Sequence, residues 1–364
     1  MKSSALFPFV VLMMAACSVQ AAEKRKLTDP PVSFFQGTCE SDPDGKKFAA
    51  KACYTSYYPG RAITRSRYRP PTCEGTVSDQ QRDMLARAYS RAPDYMKGKL
   101  CRLTQMFVTG FSMEGPMGWG FWEGPDRPPG KGVYLAVSKS ELEMKQSVAE
   151  GENATVAMLL GLQPGGEGMG AGLVGLRSAA PADPELTVLA GIAHELGHAL
   201  VADTNADGVR RAHPRRKVSG PPQSACFEDA FINASWDSGR FEKSMRRWVD
   251  FGRQYNNRQK NPDIRVSLRR LRTLAKAGNF NAVNDAIRKV YRSREFVIFS
   301  GSTNPWEDMV TTFTYKVLAD TMPSLSIELQ LDGQDINVLG LLKSEVVAKK
   351  VDCLSALGFL TGQP

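Results

Sequence analysis

Two of the three histidines in this chain of 364 residues lie four positions apart. They are His194 and His198, within residues 191–200, Gly-Ile-Ala-His-Glu-Leu-Gly-His-Ala-Leu. Residues four apart share one face of an α-helix, so both imidazoles can bind the same ion. Glu195 follows the first histidine, where its carboxylate can reach a water on that ion. The pattern predicts a metal-binding helix; the alternative is a pair of structural histidines on a buried helix.

A zinc site of this kind needs a third protein ligand. His213, the remaining histidine, lies fifteen residues after His198 in a basic, proline-flanked segment. That spacing does not fit the His-x-x-Gly-x-x-His pattern of metzincins, so His213 is disfavoured. Glu228, in Cys-Phe-Glu-Asp, is an alternative ligand from a downstream helix. Glu307 is the preferred candidate, and a family resemblance supports it.

Residues 300–313, Ser-Gly-Ser-Thr-Asn-Pro-Trp-Glu-Asp-Met-Val-Thr-Thr-Phe, carry this resemblance. They are similar to the segment with the third zinc ligand in the anthrax lethal factor-like group of His-Glu-x-x-His peptidases. In that group an Asn-Pro-x-Glu-Asp run opens a helix, and its glutamate binds zinc. Asn304, Pro305, Glu307 and Asp308 match at the same relative spacing.

The resemblance implies a gluzincin-type zinc metallopeptidase. His194, His198 and Glu307 would hold Zn²⁺, and Glu195 would act as the catalytic base. The alternative role for Glu307 is that of an ordinary first-turn glutamate stabilised by the helix dipole. The resemblance covers the two motif segments and the order helix, strand, zinc helix, but not the N-terminal or the basic helical part of the chain.

Two positions depart from the family pattern. Members often have a tyrosine that assists the oxyanion where this chain has Ser300, and a second acidic residue where it has Thr311. Tyr291 and Tyr315 are candidates to replace the missing tyrosine. These departures leave zinc binding intact and put efficient catalysis in question.

The N-terminus predicts export. Lys2 precedes a short apolar run over residues 5–16, and Val19-Gln20-Ala21 suits signal peptidase, which gives a signal peptide over 1–21. The run is too short for a stable transmembrane helix, so we expect none in the mature chain. An alternative is lipoprotein anchoring through Cys17.

Six cysteines remain beyond Cys17, and an even number in an exported chain predicts up to three disulfides with the pairing left open. They are Cys39, Cys53, Cys73, Cys101, Cys226 and Cys353.

The formal net charge is +9. Outside the cytoplasm such a charge favours contact with an anionic cell-envelope surface over nucleic acid. The alternative for each basic cluster is a solvated helix face.

The sequence divides into a signal peptide (1–21), a cysteine-containing N-terminal extension (22–76) and a zincin-like catalytic domain (77–364) of the α+β class. We expect disulfides rather than a core to hold the extension, and a basic helical insertion over 238–295. Within the catalytic domain we expect the helices, strands and loop that follow. Helices are predicted over 185–201, 240–255, 262–277, 279–293, 306–319 and 335–349, strands over 100–108, 132–137 and 156–162, and a loop over 110–131.

The predicted function is hydrolysis of peptide bonds, with a polypeptide or the peptides of peptidoglycan as substrate. Alternatives are an exported zinc-binding cell-envelope protein with little or no catalysis, and a peptidoglycan amidase or endopeptidase. Residues 203–208, Asp-Thr-Asn-Ala-Asp-Gly, match the start of a calcium loop, but Pro214 stands where a bidentate glutamate is required. A turn that ends the zinc helix is the preferred interpretation there.

Overall fold

Helices make up most of the structure, and two small sheets make up the rest, so the class is α+β. The computed structural model describes residues 35, 38–56, 72–110, 118–123, 131–143, 145–162, 172–179, 181–204, 225–237, 258–265, 267–331 and 333–362. All of them belong to one unit, Val32–Pro364. The signal peptide prediction, Cys17 and His213 lie outside the described residues.

Eleven helices are described. They are α1 (Lys46–Ala50), α2 (Asp79–Arg91), α3 (Asp94–Leu100), α4 (Lys139–Glu143), α5 (Val148–Leu159), α6 (Pro184–Thr204), α7 (Ala225–Phe227), α8 (Leu268–Lys276), α9 (Phe280–Ser293), α10 (Pro305–Thr321) and α11 (Glu345–Ala356). A π-helical segment, Glu228–Asn233, continues α7, and 3-10 turns cover Pro262–Ile264, Ser300–Thr303 and Val338–Lys343.

The first sheet has the strand order β1-β2-β4-β3. Its parallel strands are β1 (Ala52–Thr55), β2 (Gln105–Thr109) and β4 (Lys131–Ser138), and β3 (Gly118–Glu123) is antiparallel to β4. Strands β3 and β4 contact α6, so this sheet lies beside the predicted metal helix. The second sheet is antiparallel and consists of β5 (Leu176–Ser178), β6 (Ile327–Leu331) and β7 (Gln334–Asn337).

Three secondary-structure predictions are wrong. Residues 156–162 do not form a strand, since 156–159 are the last residues of α5 and 160–161 form a turn. This helix begins with a capping box, in which Ser147 accepts from the Glu150 N–H and the Glu150 carboxylate accepts from the Ser147 N–H. The predicted helix 335–349 is instead β7, a 3-10 turn and the start of α11, and the predicted loop 110–131 contains β3. The helices predicted over 279–293 and 306–319 are confirmed as α9 and α10.

The six cysteines form three disulfides, as predicted, and the structure gives their pairing. Cys39 pairs with Cys101, Cys53 with Cys73, and Cys226 with Cys353. Disulfides are typical of proteins in oxidising compartments, which agrees with export.

The described part of the N-terminal extension is held by more than disulfides. Phe48 on α1 is 1% exposed and stacks on Tyr89 of α2 with ring centroids 4.8 Å apart. Strand β1 pairs with β2 along its whole length. The expectation that this segment lacks core packing is therefore wrong.

Two described helices, α8 and α9, fall within the predicted basic insertion, while residues 240–255 lie outside the described part of the chain. Arg272 on α8 donates from Nε to the Leu159 carbonyl at the end of α5, at 2.7 Å. Cations near a helix C-terminus are stabilising, so this arginine has a structural role. Within the described residues, no helix has both the length and the apolar character required to cross a bilayer.

Candidate metal centre

Helix α6 carries the His-Glu-x-x-His motif through the core. Asp183 caps it, since its Oδ1 accepts from the Leu186 N–H at 3.0 Å, and Pro184 occupies the first turn. The predicted start of this helix is confirmed. Apolar side chains hold the helix in place, because six of them are fully buried. They are Leu189, Ile192, Ala193, Leu196, Ala199 and Val201.

Helix α10 carries Glu307 in its first turn. Asn304 is its N-cap, and its side-chain oxygen accepts from the backbone N–H groups of Trp306 at 3.0 Å and Glu307 at 3.1 Å. Pro305 fills the first helical position, where no backbone N–H is needed. The Asn-Pro-x-Glu spacing therefore fixes the backbone of the glutamate itself.

The two helices approach closely at Gly197. A Cβ atom at that position would lie 3.2 Å from Val310 Cγ1 and 3.3 Å from Phe313 Cδ1, which is tighter than ordinary contact. Glycine therefore permits α6 and α10 to pack near each other, with the histidines of one helix facing the glutamate of the other.

His194, His198 and Glu307 meet at one point. The two Nε2 atoms lie 3.2 Å apart. Glu307 Oε2 is 3.6 Å from His194 Nε2, and Oε1 is 3.5 Å from His198 Nε2. Among the described residues, this is the one group of three or more histidine, cysteine or acidic side chains whose ligand atoms lie within 4.8 Å of one another.

The spacing of these atoms fits a single metal ion. Two donors bound at about 2.0–2.1 Å with a tetrahedral angle lie about 3.3–3.4 Å apart. The Nε2–Nε2 distance and the distance from each Nε2 to one Glu307 oxygen fall close to that value, so the three groups could share one ion. The group can therefore hold a metal ion, with the fourth position left for water or another ligand.

The imidazoles are ready to bind a cation at neutral pH. Burial lowers the pKa of His194 and of His198 to about 4, so both rings are uncharged at neutral pH, which is the form that binds a metal ion. Their side chains remain 33% and 14% exposed, and that of Glu307 remains 29% exposed. Solvent can therefore reach the site.

Further carboxyl groups lie near the centre. Burial raises the pKa of Glu195 to about 8 in the metal-free chain, and the negative charges of Glu307 and Glu141 add to the effect. Burial likewise raises the pKa of Glu141, on α4, to about 7. A nearby cation would favour the ionised form of these groups. No local sequence signal marks Glu141.

The residue after Glu307 anchors α10 to the end of the chain. Asp308 Oδ2 lies 2.7 Å from Lys350 Nζ on α11, and both side chains are almost completely buried. Trp236 Nε1 also donates to this oxygen, at 3.4 Å. Lys350 lies over the Phe296 ring, 4.5 Å from its centroid. This network fixes the first turn of α10 from the side opposite its cap.

Of the other two candidate ligands, the structure describes Glu228 alone. Glu228 is exposed at the start of the π-helical segment and is absent from the cluster. His213 and most of the predicted calcium loop, residues 205–208, lie outside the described residues. Of the three candidates for the third ligand, Glu307 is the one that the structure places beside the imidazoles.

The two positions that depart from the family pattern are engaged by the protein itself. Ser300 is 6% exposed and interacts with Glu152, and Thr311 Oγ1 donates to the Glu307 carbonyl at 2.6 Å. Tyr291 and Tyr315 are buried, and the Tyr291 hydroxyl accepts from the Phe299 N–H at 3.4 Å. Both tyrosines are close enough to Glu152 for its charge to raise their pKa values further, beyond the increase due to burial.

Comparisons of the chain with protein-family profiles, with curated proteins and with solved structures give no match. The class of the site is therefore defined by its own geometry, as a candidate metal centre of two histidines and a glutamate. The resemblance to the lethal factor-like peptidases stays a prediction from the two motif segments.

Proposed function

We propose that this protein is an exported zinc-dependent peptidase with a zincin-like catalytic domain. The observation that carries the proposal is the triangle of His194 Nε2, His198 Nε2 and the Glu307 carboxylate, with sides of 3.2, 3.5 and 3.6 Å. Two imidazoles and one carboxylate with an open fourth position form a ligand set typical of catalytic zinc. Glu195 follows His194 on the same helix, as a base beside a metal-bound water requires.

Zinc in this position would polarise the scissile carbonyl and lower the pKa of a bound water to about 7. The protein supplies the remaining chemistry. His194 and His198 are neutral ligands, and Glu307 adds a negative charge that offsets the charge of the ion. Glu195 accepts the proton of the attacking water and returns it to the nitrogen of the leaving amine.

A second candidate is a zinc-binding protein of the cell envelope with little or no catalysis. The two departures from the family pattern favour it, because Ser300 is buried and interacts with Glu152, and Thr311 supplies no acidic group. A peptidoglycan amidase or endopeptidase is a variant of the peptidase proposal, since it differs in substrate and not in the metal chemistry. The basic charge and the disulfides are compatible with work at the cell envelope.

The test combines metal analysis with cleavage assays on the purified protein. We expect one zinc per chain, chelator-sensitive cleavage of a peptide library or of muropeptides, and recovery on addition of zinc. Glu195→Gln should keep the metal and lose about 10²–10⁴-fold in rate, as expected for removal of a general base. Glu307→Ala should lose metal, and Glu228→Ala is the matched control that should keep both metal and activity.

The outcomes separate the candidates. Unchanged turnover in Glu195→Gln, or full metal affinity in Glu307→Ala, would contradict the peptidase proposal. Stoichiometric zinc without cleavage of either substrate would establish the non-catalytic candidate. Cleavage of muropeptides alone would identify a peptidoglycan hydrolase.

A further inference from the structure

Glu152 is a buried acidic residue that the metal motif does not include. It lies on α5, which contacts the Ser300–Thr303 turn, and its exposed fraction is 9%. Its carboxyl group is close enough to the Ser300 hydroxyl and backbone N–H for both to favour its charged form. Its Oε1 atom is buried and has no hydrogen-bond partner. Buried polar atoms are almost always paired in folded proteins, so an unpaired carboxyl oxygen calls for an explanation.

The partner of Glu152 begins the turn that leads to the third ligand. Ser300–Thr303 is a 3-10 turn, and Asn304 follows it as the cap whose side chain binds the Glu307 N–H. Glu152 and Glu307 are also close enough for the charge of Glu307 to act on Glu152. The contact from α5 is therefore linked to the Glu307 backbone by the Ser300–Thr303 turn and the Asn304 side chain.

The turn has little freedom to move in other directions. A Cβ atom on Gly301 would lie 2.5 Å from Thr311 Oγ1, so the turn packs directly on the second turn of α10. The Phe299 N–H, just before the turn, is bound by the Tyr291 hydroxyl. Ser302 donates to the Phe299 carbonyl at 2.7 Å. Contacts with Thr311 and Glu152 therefore restrict movement of the turn.

We propose that Glu152 is a positioning residue of the metal centre, which holds the Ser300–Thr303 turn and thereby sets the position of Glu307 relative to the two histidines. This proposal rests on the metal centre of the proposed function but does not require catalysis. An apolar side chain of similar size at this position would remove the acceptor from the two Ser300 donors. The carboxyl group of Glu152 holds the turn that leads to Glu307. Residues behind metal ligands commonly have such a positioning role.

The test measures zinc affinity, by competition with a chromophoric chelator, and thermal stability of the metal-free protein. Glu152→Leu removes the acceptor at similar volume, and we expect zinc affinity to fall about 10–100-fold. The metal-free protein should still fold, with some loss of stability because the buried Ser300 donors lose an acceptor. Glu152→Gln keeps an acceptor oxygen for Ser300 and should retain zinc affinity within about threefold.

Val156→Ala is the control, because Val156 is a buried residue one turn further along α5. It should lower stability and leave zinc affinity unchanged. Unchanged zinc affinity in Glu152→Leu, or a loss of stability with no loss of affinity, overturns the proposal. If Glu152→Leu does not fold, Ser300→Ala decides: unchanged affinity there also overturns it. Zinc binding without any peptide cleavage would refute the peptidase proposal and leave this one standing.

Discussion

Replacing Lys350 with methionine removes the positive half of a buried ion pair. Its Nζ lies 2.7 Å from Asp308 Oδ2, and the two side chains are 0% and 1% exposed. The ammonium group also donates to the Glu295 carbonyl. Methionine has a similar length and no charge, so the change removes the cation with little effect on packed volume. Asp308 then remains buried without its counter-charge.

The expected loss follows from that burial. Removal of one partner from a buried ion pair costs about 3–5 kcal/mol, because the remaining charge is uncompensated. In a chain of this size each kcal/mol lowers Tm by about 2 °C, so Lys350→Met should lower Tm by about 6–10 °C. Adding Asp308→Asn removes both charges and should restore at least about 2 kcal/mol of the loss.

Chemical denaturation followed by circular dichroism, with the disulfides intact, measures these differences. The control is Lys349→Met, since Lys349 is the next residue on α11, and its side chain is 61% exposed with a 2.9 Å ion pair to Glu345. Exposed pairs contribute about 0–1 kcal/mol, so the control should change stability little. The reasoning is refuted if Lys350→Met costs no more than the control, or if the two losses simply add in the double variant.

Two further predictions concern the disulfides and pH. Replacing the Cys226–Cys353 pair with serine should cost about 5 kcal/mol in the chain-entropy account, against about 3 kcal/mol for Cys53–Cys73, because the closed segments span 127 and 20 residues; equal losses in chemical denaturation would contradict that order. The metal-free protein should become more stable as pH falls from about 9 to about 6.5. Burial raises the pKa of Glu152 and of Glu195 to about 8, whereas a glutamate in an unfolded chain has a pKa of about 4.3. The folded state therefore binds more protons than the unfolded state in this pH range. The histidines oppose this below about pH 6.5, since their pKa values of about 4 are below those of the unfolded chain. Denaturation midpoints measured with chelator across this range should rise toward the lower pH, and a fall would count against the assignment of raised pKa values.

The elements that bear the proposed ligands could be predicted from sequence because their signals are local. Asp183-Pro184 and Asn304-Pro305 each place a cap before a proline, and both helices begin there. The four-residue spacing of the histidines needs nothing but a helix to bring them together. Local hydrogen bonds and helical periodicity depend on a few neighbouring residues, so helices of this kind can be predicted from the sequence alone.

The incorrect secondary-structure predictions fall where local sequence signals favour different structures. Residues 156–162 are apolar enough for a strand, but the capping box at Ser147 and Glu150 starts a helix that continues to Leu159. Residues 335–349 hold apolar positions at helical spacing, but the pairing of β7 with β6 uses the first of them as a strand. In that case a tertiary contact overrides the local preference.

The supporting residues of the centre could not be predicted. Glu152 meets Ser300 across 148 positions, and Lys350 meets Asp308 across 42. In sequence each is one charged residue on a helix, where an exposed position is the usual outcome. Nothing but the folded arrangement distinguishes them from surface residues.

Lys350 on α11 pairs with Asp308, the residue after Glu307, so the contacts of the first turn of α10 are complete only when α11 is present. During synthesis from the N-terminus, His194 and His198 emerge before Lys350 and Cys353. Until those two arrive, Asp308 lacks its cation and Cys226 lacks its partner. Under the proposed function, we therefore expect metal binding to follow the pairing of Cys226 with Cys353.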